Sequence, residues 1–209
     1  MLVIGITGPT GAGKTTALRT LESLGVRVLD CDAIYHGLLK SDEQLRRELT
    51  GRFGDVFDGD GLNRRKLGSL VWNDAGALND LNAITHKYVM AELKRQVEDA
   101  REKNLPGVAI DAISLLESGA GDLCDTTVAV IAPREVRIAR IMAREGIDRD
   151  YAAARISAQK DGAWYTEHCD HTLTNDQTEP AFRATCLDFF RRCLHLIDKK
   201  STTGGNEDV

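Results

Sequence analysis

The segment LVIGITGPTGAGKTT, residues 2–16, decides the fold that we predict for this chain. Its first part, residues 2–6, is an apolar and β-branched run typical of a buried strand, and a helical leucine repeat follows the segment. Between them, Gly8, Gly11 and Gly13 keep side chains out of the way, so that several backbone N–H groups can converge on an anion. Strand, glycine loop and helix in this order indicate a Walker A loop, and therefore a bound nucleotide.

Two residues at the end of the loop carry the chemistry of such a site. Lys14 supplies a mobile positive charge for the β- and γ-phosphates. The Thr15 hydroxyl lies at the helix start, where it can bind the Mg²⁺ that accompanies the phosphates. The alternative is a glycine turn that binds nothing, and the strand and helix on either side disfavour it. The loop alone leaves open whether the γ-phosphate goes to water, to a small molecule or nowhere.

Length and composition limit the class of protein. The chain has 209 residues, enough for one α/β core with a helical insertion. Its formal net charge is −5 and its basic residues are dispersed, which disfavours a nucleic-acid partner. No apolar run reaches the length of a membrane span, and the N-terminus leads into a strand rather than a signal peptide. We therefore expect a cytoplasmic protein with no membrane partner, present as a monomer or small homo-oligomer.

The 5 cysteines are odd in number and form no C-x-x-C pair, which favours reduced thiols that serve packing. One stretch, His168-Cys169-Asp170-His171, has residue types that bind metals, but its spacing matches none of the usual zinc patterns. We interpret this stretch as a polar loop that leads into a strand.

The chain alternates strands with helices, apart from a helical middle. Strands are predicted at residues 2–6, 26–29, 108–111, 127–131 and 172–174. After the helix that follows the loop, further helices are predicted at residues 33–40, 43–52, 134–144, 148–160 and 179–196. Apolar residues recur at three- and four-residue intervals over residues 64–104, which predicts a wholly helical stretch. Residues 54–61, rich in glycine and aspartate, are predicted as a loop.

These patterns predict an α/β fold of the P-loop NTPase type. We expect a three-layer parallel sheet of about five strands, with ligands at the carboxyl ends of the strands. A single domain covers residues 1–209. Within it we expect a core at about 1–40 and 105–198, a helical substrate-binding insertion at about 41–104, a helical lid at about 140–166, and a disordered tail at 201–209.

Three acids end predicted strands: Asp30, Asp32 and Asp111. We expect Asp32 to be a base, because phosphoryl transfer to an alcohol uses a carboxylate that orients the hydroxyl and accepts its proton. The alternative is that Asp32 caps the following helix, a role that Asp30 can take instead. Asp111 has the position of a Walker B acid, which holds Mg²⁺ directly or through water.

Arginines crowd residues 134–155. Arg137, Arg140 and Arg144 fall on one face of a predicted helix, and the turn after this helix provides a hinge for a lid. We expect Arg140 to meet a transferring phosphoryl group when water is excluded. For Arg137 and Arg149 we favour an ordinary solvated helix face.

Several motifs are spread over nearly the whole chain. They are GITGPTGAGKTT at residues 5–16, LDCD at 29–32, RFG at 52–54, LNAITH at 81–86, DAISLLESG at 111–119, AREG at 143–146 and RISAQ at 155–159. Together they resemble the dephospho-coenzyme A kinase family, whose usual forms include LTGGIGSGKST, D-x-D, RFG, LN-x-x-x-H and D-x-P-L-L-F-E-x-G. The family's asparagine after the last strand matches Asn175.

The resemblance implies Mg²⁺-dependent transfer of the ATP γ-phosphate to the ribose 3′-hydroxyl of dephospho-CoA, the last step of coenzyme A synthesis. In that reaction Asp32 activates the hydroxyl, while Lys14 and Arg140 hold the migrating phosphoryl group. The residues implied in ATP binding are Gly11, Ala12, Gly13, Lys14, Thr15, Thr16 and Asn175. Those implied in substrate binding are Thr7, Asp32, His86 and Arg155. Those implied in Mg²⁺ binding, directly or through water, are Thr15 and Asp111.

The chain departs from the family's pattern at four positions. Ile113 replaces a proline, Ser114 a leucine, Lys87 a proline and Tyr165 a basic residue near the end of the lid. These changes concern the substrate pocket more than the phosphoryl-transfer chemistry, since the Walker loop and the D-x-D element are intact.

Two other functions stay open at this point. The first is a kinase of another small alcohol or nucleotide on the same scaffold. The second is a regulatory module in which ATP orders a segment for a partner protein. An exposed apolar patch or a switch threonine would favour the second, and the sequence identifies neither.

Overall fold

A computed structural model describes residues 1–59 and 61–202, with side chains described as far as residue 194. The chain divides into two compact units. The first unit combines Met1–Leu29 with the chain from Val97 onward, and the second unit is Asp30–Gln96. Each unit has a hydrophobic core of its own.

The secondary structure alternates as predicted. The strands are β1 (Leu2–Thr7), β2 (Arg27–Asp30), β3 (Phe57–Asp58), β4 (Gly61–Leu62), β5 (Gly107–Asp111), β6 (Thr126–Ile131) and β7 (His171–Thr174). The helices are α1 (Lys14–Ser23), α2 (Cys31–Ser41), α3 (Glu43–Phe53), α4 (Arg64–Val71), α5 (Ala75–Glu102), α6 (Arg134–Glu145), α7 (Arg149–Ser157), α8 (Gly162–His168) and α9 (Glu179–Thr202). A short 3₁₀ helix lies at Ala120–Leu123.

A five-stranded sheet in the order β2-β5-β1-β6-β7 forms the centre of the first unit. β1 pairs in parallel with both β5 and β6, and β6 pairs in parallel with β7. The register places Ile6 opposite Asp111, so the acid that ends β5 lies beside the carboxyl end of β1. This confirms the predicted parallel α/β sheet of about five strands, and it sets the position of the site.

β1 is buried along its whole length, as expected for a central strand covered on both faces. Its side chains Ile4 and Ile6 belong to a core that also contains Leu21 of α1 and Phe182 and Phe190 of α9. The leucine repeat after the loop therefore packs against the sheet, which anchors the start of α1 directly behind the glycine loop.

α6 and α7 form a smaller cluster in the first unit. Ile138 and Ile141 of α6 pack with Ala152 and Ile156 of α7. Gly146 ends α6 in the left-handed conformation, with φ 68°, and Asp148 caps α7 through the backbone N–H of Tyr151. These two helices bring most of the arginine-rich region into one helix pair.

The second unit is mainly helical, and β3 and β4 form a two-stranded antiparallel hairpin in it. Its core joins Leu45 and Leu49 of α3 to Leu67 of α4 and Tyr88 of α5. Asp42 caps α3 by accepting hydrogen bonds from two backbone N–H groups, and Asn63 caps α4. α5 contributes to both units: its residues as far as Gln96 belong to the second unit, and those from Val97 onward belong to the first.

The structure corrects several predicted elements. Residues 54–61, predicted as a loop, contain β3 and the start of β4, because strands of two residues are too short to give an alternating pattern. The helix predicted over 148–160 ends at Ser157, and α8 and the 3₁₀ helix were not predicted. The long helical stretch divides into α4 and α5. The predicted tail starts inside α9, and its residues 203–209 lie outside the described part.

The cysteines agree with the packing role expected of them. All 5 lie within the described residues and none forms a disulfide, and Cys186 is fully buried in the core between α9 and the sheet. Burial raises the pKa of this thiol to about 12, so it stays protonated. Among the described residues, no helix combines the length and apolar character needed to cross a membrane.

Candidate active site

The glycine loop lies between β1 and α1 and forms one wall of a cleft of about 330 Å³. The loop residues Pro9 to Thr15 line this cleft together with Asp111, Ile113, Arg140, Arg144 and Arg155. Eight predicted site residues of this unit lie outside the loop glycines and Ala12. Five of them line the same cleft: Lys14, Thr15, Asp111, Arg140 and Arg155. The other three, Thr7, Thr16 and Asn175, are not among its lining residues.

Two glycines are required by close approaches within the loop. Gly8 has φ 138° and Gly13 has φ 105°, conformations that residues with a Cβ rarely adopt. A Cβ on Gly8 would overlap the carbonyl oxygen of Val130, and one on Gly13 would overlap the side-chain nitrogen of Asn175. The glycines therefore let the loop lie tightly against β6 and Asn175.

Lys14 begins α1 and is half-buried. Its ammonium donates to the carbonyl oxygen of Gly8 at 3.0 Å, which folds the side chain back over the loop. Thr16 follows in the first turn, and its backbone N–H donates to the carbonyl of Gly13 at 3.0 Å. A lysine held over a glycine loop at a helix N-terminus is suited to a polyphosphate.

Thr15 and Asp111 provide oxygen atoms on the wall of the cleft. Among the described residues, no group of three or more His, Cys, Asp or Glu side chains is arranged to hold a metal ion. A hydroxyl and a single carboxylate are instead the donor set typical of Mg²⁺, which keeps several waters and takes its other ligands from phosphates. The residues present therefore fit Mg²⁺ carried in with a nucleotide.

The basic side chains of the cleft come from α1, α6 and α7. They are Lys14, Arg140, Arg144 and Arg155, and the one carboxylate on the wall is Asp111. The guanidinium groups of Arg144 and Arg155 both pair with Glu145 at the end of α6. The hydrogen bond from Arg144 is the largest cause that holds the pKa of Glu145 below its usual range. Positive charge prevails in the cleft, as a polyphosphate requires.

Arg140 and Asn175 meet next to the loop. Arg140 donates to the Asn175 side-chain oxygen at 2.9 Å and to the carbonyl oxygens of Gly11 and Ala12 at 3.4 and 3.3 Å. Asn175 follows β7 and is 4% exposed. Its side-chain nitrogen donates to the carbonyl of Ala12 at 2.9 Å. The predicted ATP-binding residue Asn175 is thus bound to the loop and to the predicted catalytic arginine.

Arg137 is buried, and the prediction of a solvated position for it was wrong. Its side chain is on the same α6 face as Arg140, but the residue is 4% exposed and donates to the carbonyl of Thr10 at 2.8 Å. Burial lowers the pKa of its guanidinium. Arg149, with a side chain 58% exposed and paired with Glu135, is solvated as predicted. Helical spacing alone gives no signal that separates the two arginines.

Gln159 follows α7 and ends the RISAQ motif, but the sequence analysis gave it no role. Its side-chain oxygen accepts from the backbone N–H of Thr10 at 3.0 Å, and its nitrogen donates to the Thr10 hydroxyl at 2.9 Å. The side chain of Thr7, predicted to bind substrate, is buried at the end of β1 and donates to the carbonyl of Ile113 at 3.0 Å. Both residues hold backbone segments that line the cleft.

Asp32 and His86 belong to the second unit. Asp32 is exposed in the first turn of α2, and Asp30 caps this helix by accepting from the backbone N–H of Ala33 at 3.0 Å. The alternative that Asp32 is the cap is therefore wrong, and its carboxylate is available for another role. His86 is half-buried on α5.

Three of the four unusual residues have clear environments. Lys87 donates to Glu48 at 2.7 Å, and the Tyr88 hydroxyl donates to the same oxygen at 2.7 Å. The hydrogen bond from Lys87 is the largest cause that lowers the pKa of Glu48. Tyr165 is the buried residue of α8, and burial raises the pKa of its hydroxyl. Ile113 is 41% exposed on the wall of the cleft.

Among the described residues, the stretch His168 to His171 belongs to no group of three or more His, Cys, Asp or Glu side chains arranged to hold a metal ion. His168 ends α8 and stacks on Trp164 with ring centroids 4.4 Å apart. Asp170 accepts hydrogen bonds from the backbone N–H and the hydroxyl of Thr127, which ties it to the start of β6. These side chains support the junction between α8 and β7. This agrees with the interpretation of the stretch as a polar loop that leads into a strand.

A family model described as dephospho-CoA kinase matches residues 2–180 of this chain. Among curated relatives, a dephospho-CoA kinase of Dehalococcoides mccartyi is 38% identical over 161 residues, which are 76% of this chain and 81% of the relative. A dephospho-CoA kinase of Symbiobacterium thermophilum is 36% identical over 196 residues, covering 89% of this chain and 82% of the relative.

Solved structures show the same fold. A crystal structure of a Thermus thermophilus protein is 32% identical, with a TM-score of 0.73, and the match covers 91% of this chain and 97% of that one. The dephospho-CoA kinase of Campylobacter jejuni has a TM-score of 0.69 at 22% identity, with 92% and 97% of the two chains covered. This second likeness supports the fold alone.

Proposed function

The chain belongs to the dephospho-CoA kinase family, and we propose that it transfers the γ-phosphate of ATP to the ribose 3′-hydroxyl of dephospho-CoA, which yields coenzyme A and ADP. The observation that carries this proposal is the match of the family model to residues 2–180, together with a cleft whose wall contains the complete Walker loop. ATP is the co-substrate that a kinase of this family uses.

We propose that the loop binds the phosphates of ATP and that the arginines stabilise the transferring phosphoryl group. Gly11, Ala12, Gly13 and Thr16 are proposed to bind the phosphates, and Lys14 adds a full charge. Arg140 lies on the wall of the same cleft, and it stabilises the charge on the transferring phosphoryl group. Arg155 and Asn175 complete the set, the first as a substrate contact and the second as an ATP-binding residue.

Mg²⁺ is part of the proposal. Thr15 and Asp111 would hold it, directly or through water, and when bound it neutralises charge on the phosphates. The buried hydroxyl of Thr7 keeps the segment after Asp111 in place through its bond to Ile113.

Asp32 is proposed as the carboxylate that orients the ribose hydroxyl and accepts its proton. Its exposure, and the use of Asp30 rather than Asp32 as the cap of α2, support this role. His86 and the helical region at about 41–104 are proposed to bind dephospho-CoA, and residues at about 140–166 are proposed as a lid. The core at about 1–40 and 105–198 binds the nucleotide.

We also propose that the protein works in the cytoplasm as a monomer or small homo-oligomer, without a nucleic-acid or membrane partner. The formal net charge of −5 supports the exclusion of a nucleic-acid backbone. Light scattering behind a sizing column measures the oligomeric state, and cell fractionation measures the location.

A coupled assay for ADP tests the proposed reaction. ADP release from Mg²⁺-ATP is measured without acceptor and with dephospho-CoA, adenosine or AMP, and coenzyme A is identified by mass. We expect release that depends on dephospho-CoA, with coenzyme A in equal amount. Release with adenosine or AMP instead would assign another acceptor and overturn the substrate. Release with no dependence on an acceptor would favour a regulatory module.

A further inference from the structure

Arg137 and Gln159 both hold Thr10, the residue at the middle of the glycine loop. Arg137 Nε donates to the Thr10 carbonyl at 2.8 Å. The Gln159 oxygen accepts from the Thr10 backbone N–H at 3.0 Å, and its nitrogen donates to the Thr10 hydroxyl at 2.9 Å. Thr10 lines the cleft, whereas neither Arg137 nor Gln159 does. Arg137 and Gln159 therefore hold the loop from outside the cleft.

The Gln159 amide can take one orientation in this network. Its oxygen accepts a second hydrogen bond, from Arg137 Nη2 at 3.2 Å, so both groups that face the oxygen are donors. A flipped amide would set its NH₂ group against two donors that cannot accept. Because Arg137 is 4% exposed, a lost partner would leave buried charge poorly satisfied. The arrangement is thus specified on both sides of Thr10.

Because the peptide bond is planar, the hydrogen bonds to Thr10 also orient the next backbone N–H of the loop. The Thr10 carbonyl and the Gly11 N–H belong to one trans peptide unit, in which the two groups point in opposite directions. Because the Thr10 carbonyl points toward Arg137, which does not line the cleft, the Gly11 N–H points away from Arg137. Gly11 itself lines the cleft.

Gln159 also ties the loop to α7. The helix ends two residues before Gln159, and it carries Arg155, which lines the cleft. The Thr10 hydroxyl is absent from the usual family form LTGGIGSGKST, in which the corresponding residue is isoleucine, whose side chain cannot accept a hydrogen bond.

We propose that Gln159 and Arg137 are positioning residues that act through Thr10. They hold the Thr10 peptide groups so that the Gly11 N–H faces the ATP phosphates, and they fix the end of α7 relative to the loop. This inference rests on the proposed function only in assigning ATP as the ligand of the cleft.

Binding of the β,γ-imido analogue of ATP with Mg²⁺, measured by calorimetry without an acceptor, tests the proposal. Gln159→Leu keeps the size of the side chain but removes both hydrogen-bonding atoms, and we expect about tenfold weaker binding. Gln159→Glu keeps an acceptor for Thr10 N–H and Arg137, and the Thr10 hydroxyl can rotate to donate to it, so we expect binding within about threefold of wild type. Gln44→Leu, the same change at an exposed site on α3, is the matched control and should bind like wild type.

Steady-state kinetics give the second readout. The KM for ATP should rise in Gln159→Leu, while the KM for dephospho-CoA stays within about twofold. If Gln159→Leu does not fold, Thr10→Val is measured in its place. This variant removes one hydroxyl, and we expect it to bind the analogue about threefold more weakly than wild type. Where Gln159→Leu folds, the double variant Thr10→Val with Gln159→Leu should bind the analogue no more weakly than Gln159→Leu alone.

Three results would overturn the proposal. They are wild-type affinity in Gln159→Leu or, where that variant is unfolded, in Thr10→Val; failure of Gln159→Glu to recover affinity; and an equal rise of KM for both substrates. Failure of the proposed reaction is distinguishable, because it would show in the wild-type acceptor assay, whereas the binding measurement uses no acceptor.

Discussion

The guanidinium of Arg140 and the side-chain amide of Asn175 are joined by a hydrogen bond of 2.9 Å. The other end of the same amide donates to the carbonyl of Ala12 in the glycine loop, also at 2.9 Å. Asn175 thus connects an arginine on the wall of the cleft to the backbone that forms it. Both polar atoms of Asn175 are used in this connection, so we expect it to influence ATP through Arg140 and the loop.

Replacing Asn175 with alanine should lower kcat/KM for ATP by roughly 10- to 100-fold, because the bond to Arg140 and the bond to Ala12 are lost together. Steady-state kinetics at varied ATP measure this. Asn73→Ala, at an exposed position between α4 and α5, is the matched control. In combination with Arg140→Ala, the effects should be less than additive. Full activity in Asn175→Ala would refute the connection.

Gly13→Ala should destabilise the protein by roughly 2–4 kcal/mol, because the new Cβ adds an overlap with Asn175 to the strain of φ 105°. Gly146→Ala is the matched control, since Gly146 has φ 68° with nothing within 4 Å of the added Cβ, and it should cost about 1–2 kcal/mol. Urea unfolding measures both. Equal losses in the two variants would mean that the contact with Asn175 has no energetic weight.

Asp32→Asn should reduce turnover by about 10²- to 10⁴-fold while ATP still binds, because the amide cannot accept a proton from the acceptor hydroxyl. Asp30→Asn is a close control: asparagine caps helices about as well as aspartate, so the bond to Ala33 is kept and stability should not change. Turnover and analogue binding are measured for each variant. Unchanged turnover in Asp32→Asn would exclude it as the base.

The stability of the first unit should fall at low pH through Asp99. A hydrogen bond from Lys103 is the largest cause, and one from Arg27 the next, that lowers the pKa of Asp99 to about 2. An unfolded aspartate titrates at about 3.9, so the ionised group stabilises the fold above that pH, and the contribution disappears as pH falls through the folded value.

The variant Asp99→Asn isolates this contribution. Its melting temperature should lie below that of wild type at pH 7, and the gap should close between about pH 4 and pH 2. In about 1 M salt the gap at pH 7 should narrow, because the ion pairs are partly exposed. Thermal melts across this range provide the measurement, and a gap independent of pH would contradict the assignment.

Much of the nucleotide site could be read from local pattern. The strand, glycine loop and helix of residues 2–16 identify their own structure, because the apolar run, the glycines and the leucine repeat are all contiguous in the chain. The order of strands and helices likewise predicted a parallel sheet, and it placed Asp111 at the carboxyl end of a strand, where it is found. The strands, helices and glycine loop could be predicted because they depend on residues adjacent in the sequence and on the spacing of apolar side chains along a helix or strand.

The hairpin of β3 and β4 could not be read in this way. Each of its strands has two residues, fewer than an alternating pattern needs, and its pairing depends on contacts across the turn. The short helix α8 begins at the cap made by Asp161, and it has no long apolar repeat that would predict it.

The sequence by itself determined the Walker loop, the parallel sheet around it and the acids at the strand ends. Each of these follows from the local order of residue types and from the spacing of apolar residues. Only the tertiary structure decided which polar side chains hold that loop. Arg137 and Arg149 have the same chemistry, yet one is buried against Thr10 and the other lies in solvent. Gln159 and Asn175 reach the loop from positions about 150 residues away, and contacts over such separations follow from packing, which has no period in the sequence.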